Sequence, residues 1–311
     1  MTRPPRSATG KCRFISALGT PLAEDQSLHL AGLEAHLGDQ WDAGIDGLLV
    51  AGTMGQMQLL ADRTYRQLVE RSVALSAGRG EVMVGVGDAS FARTRDRIEL
   101  VNRYAIDAVV VLTPYFSAFS QDELVDYYLA LADVARHPLY LYNLPSLTRS
   151  QLEVATVQRV AEHPNVAGIK CSVDLEFAKQ IMERMGDRFR VIVAQPFDVD
   201  TLAREGILEH LDGIFTVAPA WTVAIGRAAD AGDWPRAAAW QERLSHLLRL
   251  VRNGGLAVYT ALLNARGIEG NYAPRPYRPL SETQRLALLD DPLVQRLLKD
   301  PSAQDEAGHG R

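Results

Sequence analysis

Cysteine is scarce in this sequence and long apolar runs are absent, and both features limit what the protein can be. Only two cysteines, Cys12 and Cys171, occur among 311 residues, too few for a disulfide framework. Residues 1–11 lack the apolar segment of a secretory signal, and no run approaches the length of a membrane span. We therefore expect a cytoplasmic protein with no membrane partner.

A strong charge of either sign is also absent. The chain has 33 basic and 38 acidic residues and a formal net charge of −5. This weakly acidic balance gives no electrostatic reason to bind nucleic acid, so we expect none. Small neutral or acidic metabolites remain as ligands, and the length fits one large α/β domain or two average ones.

Short apolar runs alternate with helical patterns along most of the chain, at spacings of roughly 25 to 35 residues, the length of one βα unit. The predicted strands are 14–18, 47–52, 82–87, 108–112, 139–143, 166–170, 190–194 and 213–217. Eight such units predict an α/β fold, a (β/α)8 TIM barrel, with an open doubly wound sheet as the alternative. No G-x-G-x-x-G follows a first strand, which disfavours that alternative.

Beyond residue 220 the alternation stops and only helical patterns follow, at 220–230, 234–251, 256–265 and 281–298. We expect a barrel over residues 1–230 and a C-terminal helical extension over residues 231–311. Three serines, Ser120, Ser150 and Ser281, each precede Glu or Gln by three residues and predict capping boxes at helix starts.

Lys170 is the most unusual residue of the strand pattern. It ends the apolar run 166–169, where a buried ammonium is costly, so it either reaches solvent or is held for its chemistry. Active sites of barrels lie at the carboxyl ends of the strands. Lys170 is the single lysine at the predicted ends, and an amine there can form a Schiff base with a carbonyl.

Two further groups at the predicted strand ends suit that chemistry. Tyr142 can move protons as acid and base, and the turn around Thr53 offers amides and a hydroxyl to a carboxylate. Taken alone, Tyr142 is more often a core tyrosine and Thr53 a strand-end cap. No histidine lies at a strand end, so we expect no metal, and we expect no cofactor.

Several motifs together resemble a known family, the pyruvate-dependent class I aldolases and lyases typified by dihydrodipicolinate synthase and N-acetylneuraminate lyase. They are G-T-P at 19–21, G-T-M-G at 52–55, T-P-Y at 113–115, Y-L-Y-N-L-P at 140–145 and G-I-K at 168–170. The resemblance implies a barrel with a helical extension, usually a tetramer. It also implies Lys170 as the Schiff-base lysine, Tyr142 as the proton-shuttling tyrosine and Thr53 as the ligand of the keto acid's carboxylate.

Further substrate-binding residues are expected from the strand ends and from the resemblance. They are Gly52, Met54, Tyr115, Phe116, Leu147, Arg149, Ser172, Gln195, Asp198 and Phe215. We hypothesise that Arg149 reaches the pocket and pairs with an anionic or polyol end of the substrate, the alternative being a solvated arginine at a helix start.

Three departures from dihydrodipicolinate synthases argue against lysine biosynthesis. Met54 replaces a second threonine, Phe116 replaces a tyrosine, and Leu147 replaces the arginine that holds the semialdehyde's carboxylate. Gln56 stands where the family usually has a glutamate, and Arg149 stands where glycine is common. Val199 lacks the carboxylate that the neuraminate lyase branch uses on the sugar's polyol tail. Sialic acid is therefore disfavoured too.

The sequence thus predicts a Schiff-base-forming lyase of pyruvate or a 2-keto-3-deoxy acid, with retro-aldol cleavage to pyruvate and an aldehyde as the first interpretation. Synthase-type condensation, dehydration of a deoxy-keto acid, and a catalytically silent pyruvate-binding paralogue are the alternatives. The expected partners are a small keto acid and further copies of the chain, as a homotetramer or dimer.

Overall fold

A closed barrel of eight parallel strands forms the centre of the protein in the computed structural model, which describes residues 10–299. The strands are β1 (Arg13–Ala17), β2 (Gly47–Val50), β3 (Glu81–Gly85), β4 (Ala108–Leu112), β5 (Leu139–Asn143), β6 (Val166–Cys171), β7 (Arg190–Val193) and β8 (Glu209–Asp212). Each strand pairs with the next one in the chain, and β8 pairs with β1. Almost all strand residues are buried, as expected for parallel strands covered by helices. The predicted (β/α)8 barrel is confirmed.

Helices surround the barrel and continue beyond it. The outer ring comprises α1 (Leu30–Ala43), α2 (Asp62–Ser76), α3 (Phe91–Val101), α4 (Gln121–Val134), α5 (Val154–Val160), α6 (Leu175–Met185), α7 (Val199–Arg204) and α8 (Pro219–Asp230). The extension comprises α9 (Trp234–Gly254), α10 (Leu256–Ala265), α11 (Glu282–Leu289) and α12 (Pro292–Lys299). Residues 300–311 of the predicted extension lie outside the described residues.

The amino end of the barrel is closed by buried ion pairs. Arg190 on β7 contacts Glu81 on β3 at 2.6 Å and Glu209 on β8 at 2.7 Å. Arg13 on β1 approaches the same two carboxylates at 3.1 and 3.7 Å. Four strands are thus tied across the interior at this end, which leaves the opposite end for a ligand.

The eighth strand lies earlier in the chain than predicted. It runs over Glu209–Asp212, whereas the predicted segment 213–217 contains the short 3-10 helix Ile214–Thr216. The prediction was wrong because Glu209 and His210 interrupt the apolar pattern that is typical of a buried parallel strand. Glu209 is compensated by Arg190, and the neutral ring of His210 stacks on Phe14 at 5.5 Å between centroids.

Two further predictions of local structure need correction. The helix predicted at 281–298 is broken into α11 and α12, because Asp291 turns its carboxylate onto the backbone amides of Leu293 and Val294 at the start of α12. Ser150 forms no capping box and instead accepts a hydrogen bond from the amide of Phe119 at 2.8 Å. The capping boxes at Ser120 and Ser281 are confirmed.

The extension folds back over the carboxyl end of the barrel. Leu22 and Asn271 exchange backbone hydrogen bonds of 3.0 and 2.9 Å. The ring of Tyr272 lies so close to Gly19 that a Cβ there would meet it at 2.8 Å. On the other side, the Gln241 side chain of α9 donates to the carbonyl of Pro196 at 2.9 Å. Residues of the extension therefore help to wall the mouth of the barrel.

Candidate active site

Lys170, Tyr142 and Thr53 form one hydrogen-bonded chain inside the barrel. Lys170 on β6 lies in register with Tyr142 on β5, and its side chain is only 4% exposed. The lysine Nζ donates to the Tyr142 hydroxyl at 2.7 Å, and that hydroxyl lies 3.1 Å from Thr53 Oγ1. Because the tyrosine oxygen accepts from the lysine, its own hydrogen is free to point to Thr53. Lys170, Tyr142 and Thr53 thus form a continuous hydrogen-bonded chain, the arrangement that proton transfer requires.

Lys170 is buried without a counter-ion among the described residues. Apart from the hydroxyl, its Nζ contacts the ring of Tyr142, 3.9 Å from the centroid. Asp212, at the end of β8, lies within electrostatic range of Lys170. Burial raises the pKa of the Asp212 carboxyl, while its hydrogen bond from Ile214 and the charges of Lys170 and Arg252 act to lower it. A buried cation with no ion pair is typical of a functional site.

The turn after β2 places free amides beside Tyr142. It begins at Ala51, whose φ of 52° is left-handed, and it can lie against β3 because Gly85 has no side chain. A Cβ on Gly85 would meet the Ala51 carbonyl oxygen at 2.2 Å. Within the described chain, the amides of Thr53 and Met54 donate to no protein acceptor. These two donors next to a threonine hydroxyl suit a carboxylate.

A second polar network orients Tyr115, half-buried after β4. The Tyr115 hydroxyl donates to Asp88 at 3.4 Å, and Asp88 also pairs with Arg93 and Arg97, each at 2.9 Å. Burial acts to raise the pKa of Asp88, yet the Arg93 hydrogen bond and the Arg97 charge hold it below its ordinary value. Burial and the Asp88 charge raise the pKa of Tyr115, so the phenol stays protonated and fixed in place.

Most of the other sequence-predicted residues lie at the same end of the barrel. Gly52 and Met54 belong to the turn that carries Thr53. The Met54 sulfur lies against Gly213, where an added Cβ would meet it at 3.0 Å. Ser172 follows β6 and is half-buried.

Gln195 is also half-buried, and its side chain joins the loops after β6 and β7. Its Nε2 donates to the carbonyl of Val173 at 2.6 Å. The residue thereby holds the β7 turn against the loop that leaves β6 just beyond Lys170.

Five predicted residues are not brought into contact with the chain Lys170, Tyr142, Thr53. Phe116 and Leu147 are 87% and 63% exposed, and Asp198 is exposed. Arg149 is exposed and makes no hydrogen bond or ion pair with any described residue, as expected of a solvated arginine.

Phe215 is displaced from the site altogether, which corrects its predicted placement. It is 1% exposed and meets the ring of Phe14 edge-on, with centroids 5.7 Å apart. Phe14 faces α8, where a Cβ on Gly226 would contact its ring at 2.4 Å. Phe215 therefore packs between the barrel and α8, because the segment around it follows β8 and is not part of that strand.

Sequence reasoning missed residues that the extension brings to the mouth. The guanidinium of Arg252, near the end of α9, lies over the ring of Phe197 at 4.3 Å from its centroid. Tyr259 of α10 reaches Gly213, where an added Cβ would lie 3.3 Å from its hydroxyl. No local pattern identifies such residues, because the place of α9 and α10 over the barrel is a tertiary feature.

Residues 10–299 contain neither a metal-binding cluster nor a membrane-spanning helix. No group of three or more histidine, cysteine, aspartate or glutamate side chains there is arranged to hold a metal ion. No helix of the same region is long and apolar enough to cross a membrane.

The chain is similar to known proteins over nearly its whole length. The model of the dihydrodipicolinate synthetase family matches residues 11–292. The chain is 30% identical over 276 residues to a 4-hydroxy-tetrahydrodipicolinate synthase of an Exiguobacterium species, covering 88% of this chain and 94% of the relative.

Solved structures share the fold. YagE of E. coli, a prophage protein of the dihydrodipicolinic acid synthase family solved with pyruvate, matches with a TM-score of 0.84 at 22% identity, over 93% of this chain and 98% of that one. The N-acetylneuraminate lyase of Proteus mirabilis gives 0.83 at 21% identity, over 89% and 96%. At these identities the likeness concerns the fold alone.

Proposed function

This chain belongs to the dihydrodipicolinate synthetase family, and from that premise we propose that Lys170 forms a Schiff base with pyruvate. Members of the family are pyruvate-dependent Schiff-base lyases and synthases, and the chain is an enzyme of this class. The observation that carries the assignment to Lys170 is its burial without a counter-ion, with Nζ 2.7 Å from the Tyr142 hydroxyl.

The first half of the reaction follows from the hydrogen-bonded chain. The Lys170 amine attacks the keto carbon of pyruvate, and the Tyr142 hydroxyl gives a proton to the oxygen of the carbinolamine so that it leaves as water. The iminium draws electrons from the neighbouring methyl carbon, which becomes an enamine by giving a proton to the oxygen of Tyr142. The Thr53 hydroxyl exchanges protons with the Tyr142 hydroxyl. The free amides of Thr53 and Met54 bind the carboxylate of pyruvate.

We propose condensation of the enamine with an aldehyde as the second half. The enamine carbon attacks the aldehyde carbon, the new alkoxide takes a proton from the Tyr142 hydroxyl, and water then releases the product from Lys170. The sequence placed retro-aldol cleavage first, but the names of the curated relatives support the synthase-type alternative better. Cleavage runs through the same iminium in reverse.

The aldehyde itself is expected to differ from that of a dihydrodipicolinate synthase. Leu147, at the position where the resemblance calls for an arginine, is 63% exposed and apolar, and Met54 fills the place of a second hydroxyl. Neither Leu147 nor Met54 offers a polar contact, and buried polar contacts dominate the choice of substrate. Other residues at the mouth of the barrel must therefore select the aldehyde.

We propose further that residues 1–230 form the catalytic unit and 231–311 an accessory one, in a cytoplasmic homo-oligomer, tetramer or dimer. The support for assembly is the exposure of Phe116 and Leu147 at one rim, since large apolar side chains exposed together are typical of an interface. Light scattering coupled to size-exclusion chromatography tests it, and a monomer at micromolar concentration would contradict it.

Borohydride trapping tests the central assignment. We expect reduction in the presence of pyruvate to leave a pyruvyl adduct on the peptide that contains Lys170. Lys170→Ala should abolish the adduct, and Lys179→Ala should keep it, because Lys179 is a surface lysine paired with Glu205. A folded wild-type protein without an adduct would favour the silent paralogue, in which pyruvate raises the melting temperature and no carbonyl compound is converted.

The direction is tested on the same protein. Pyruvate consumption is followed with a panel of aldehydes, and pyruvate release is followed with a panel of 2-keto-3-deoxy acids. Faster consumption supports condensation, whereas release without measurable consumption would restore cleavage as the main reaction.

A further inference from the structure

Arg252 is a cation at the mouth of the barrel with no ion pair. Its side chain is exposed, it lies over the ring of Phe197, and it makes no hydrogen bond or ion pair with any described residue. Stacking on an aromatic ring occupies the flat face of a guanidinium and leaves its N–H groups at the edge. Arg252 is therefore positioned by an apolar contact and keeps its donors for another group.

The support beneath Arg252 is connected to the catalytic strand. Phe197 lies in the turn after β7, and Gln195 in the same turn donates to Val173, just beyond the end of β6. The turn is also fixed to α9, since the Gln241 side chain donates to Pro196 and accepts from the amide of Val199 at 2.9 and 3.0 Å.

Gln241 and Arg252 lie on one face of α9. Their separation corresponds to three turns of an α-helix, which returns a side chain to the same side. The face that grips the β7 turn thus carries Arg252 toward the mouth as well.

The charges around Asp212 agree with this placement. Asp212 ends β8, and both Lys170 and Arg252 act to lower the pKa of its buried carboxyl. Asp212 is thus within electrostatic range of both Lys170 and Arg252. Burial raises the pKa of Asp212 and so disfavours its charged form. The two cations therefore favour a negatively charged group at this side of the mouth.

We propose that Arg252 binds a carboxylate at the far end of the second substrate, so that the enzyme prefers aldehydes that carry an acid group. A guanidinium edge matches a carboxylate with two parallel hydrogen bonds. The cation thus comes from the extension rather than from position 147, where Leu147 stands. The inference rests on the proposed function of Lys170 and adds the class of its aldehyde partner.

The test uses 2-oxo diacids. Each carries the keto acid group that reacts with Lys170 at one end and the carboxylate proposed to bind Arg252 at the other. Borohydride trapping at Lys170 is measured as a function of concentration for 2-oxoglutarate, 2-oxoadipate and 2-oxopimelate, each against the straight-chain 2-oxo monoacid of the same carbon number. Wild type is compared with Arg252→Ala, Arg252→Lys and Arg249→Ala. Arg249 is the matched control, an exposed arginine one turn earlier on the same helix.

We expect the wild type to favour at least one diacid over its monoacid. Arg252→Ala should reduce this preference by about ten- to a hundredfold, as for a lost charge-assisted hydrogen bond. Arg252→Lys should keep part of it, and Arg249→Ala should retain the full preference. Trapping of pyruvate should be equal in all four proteins.

Different outcomes separate this inference from its premise. If no protein traps pyruvate, the Schiff-base function itself fails, and the inference fails with it. If pyruvate is trapped equally and the diacid preference is absent or unchanged in Arg252→Ala, the role of Arg252 alone is overturned. A loss of equal size in Arg249→Ala would also overturn it, because the effect would then be one of overall helix charge.

Discussion

The two ends of the barrel bury charge in opposite ways. At the amino end, Arg190 meets the carboxylates of Glu81 and Glu209 at 2.6 and 2.7 Å, and each charge has a partner. At the carboxyl end, Lys170 is equally inaccessible but meets only a hydroxyl and a ring. A buried charge is costly unless it is paired, so the paired charges at the amino end serve stability. The unpaired Lys170 at the carboxyl end must be retained for another reason, and we infer that this reason is chemistry.

Electrostatics within the amino end support this division. Burial acts to lower the pKa of Arg190, but the charges and hydrogen bonds of Glu81 and Glu209 hold it above its ordinary value. The guanidinium therefore stays charged at any pH at which the protein is folded and keeps its ion pairs with Glu81 and Glu209.

Lys170→Met should have the largest effect on activity, and it tests whether the unpaired charge at the carboxyl end serves chemistry. The substitution removes the amine but keeps an unbranched side chain of similar length, so we expect no adduct with pyruvate and no turnover. Stability should be unchanged or higher, because a buried ammonium without a counter-ion is replaced by an apolar group. Chemical denaturation checks stability, and a loss above about 2 kcal/mol would assign Lys170 a structural role instead.

Tyr142→Phe should produce the next largest effect. The ring and its packing remain, while the hydroxyl that joins Lys170 to Thr53 is lost. We expect kcat to fall by about 10²- to 10⁴-fold, the usual contribution of a general acid and base, with slower formation of the borohydride-trapped adduct. Rapid-quench trapping measures the rate, and an unchanged rate would remove Tyr142 from the proton path.

Arg190→Met tests the amino end. It leaves the buried carboxylates of Glu81 and Glu209 to Arg13 alone, and breaking such a cluster should destabilise the protein by about 3–5 kcal/mol. The exposed pair of Arg79 and Asp42 offers a control, since Arg79→Met should stay within about 1 kcal/mol. Activity per folded molecule should survive both changes, and a loss of trapping in folded Arg190→Met would break the division between the two ends.

His210 on β8 makes the stability of the protein depend on pH. Burial lowers the pKa of His210 from 6.5 to about 4, and neither ring nitrogen has a hydrogen-bond partner in the described chain. Between these two values the unfolded state binds a proton that the folded state refuses. Stability from this residue is therefore complete above pH 6.5 and falls with decreasing pH, by up to about 1.4 kcal/mol per unit.

The measurement is the denaturation midpoint between neutral pH and pH 4, compared with His210→Phe. The variant should lose stability less steeply as the pH falls, whatever its stability at neutral pH. An identical slope would mean that His210 does not titrate on unfolding, and His36, whose pKa burial lowers to about 3, would be the next residue to replace.

Much of the fold followed from local pattern, and its failures have physical causes. Seven strands were identified because buried parallel strands are apolar throughout, and β8 was misplaced because Glu209 and His210 are made acceptable only by distant partners. Ser150 matched a capping box in sequence, but the amide of Phe119, reached across a loop, binds its hydroxyl. Local signals fail where a long-range contact satisfies the same group.

The barrel and the helical extension could be predicted from the sequence, as could the positions of Lys170, Tyr142 and Thr53 at strand ends. Strand period and βα spacing are local properties, so they are visible in the sequence. Tertiary structure alone decided that Phe215 leaves the site and that Arg252 and Tyr259 reach it. Closure of the barrel and docking of the extension bring together residues far apart in the chain, and no pattern within one helix encodes which strand ends that helix will cover.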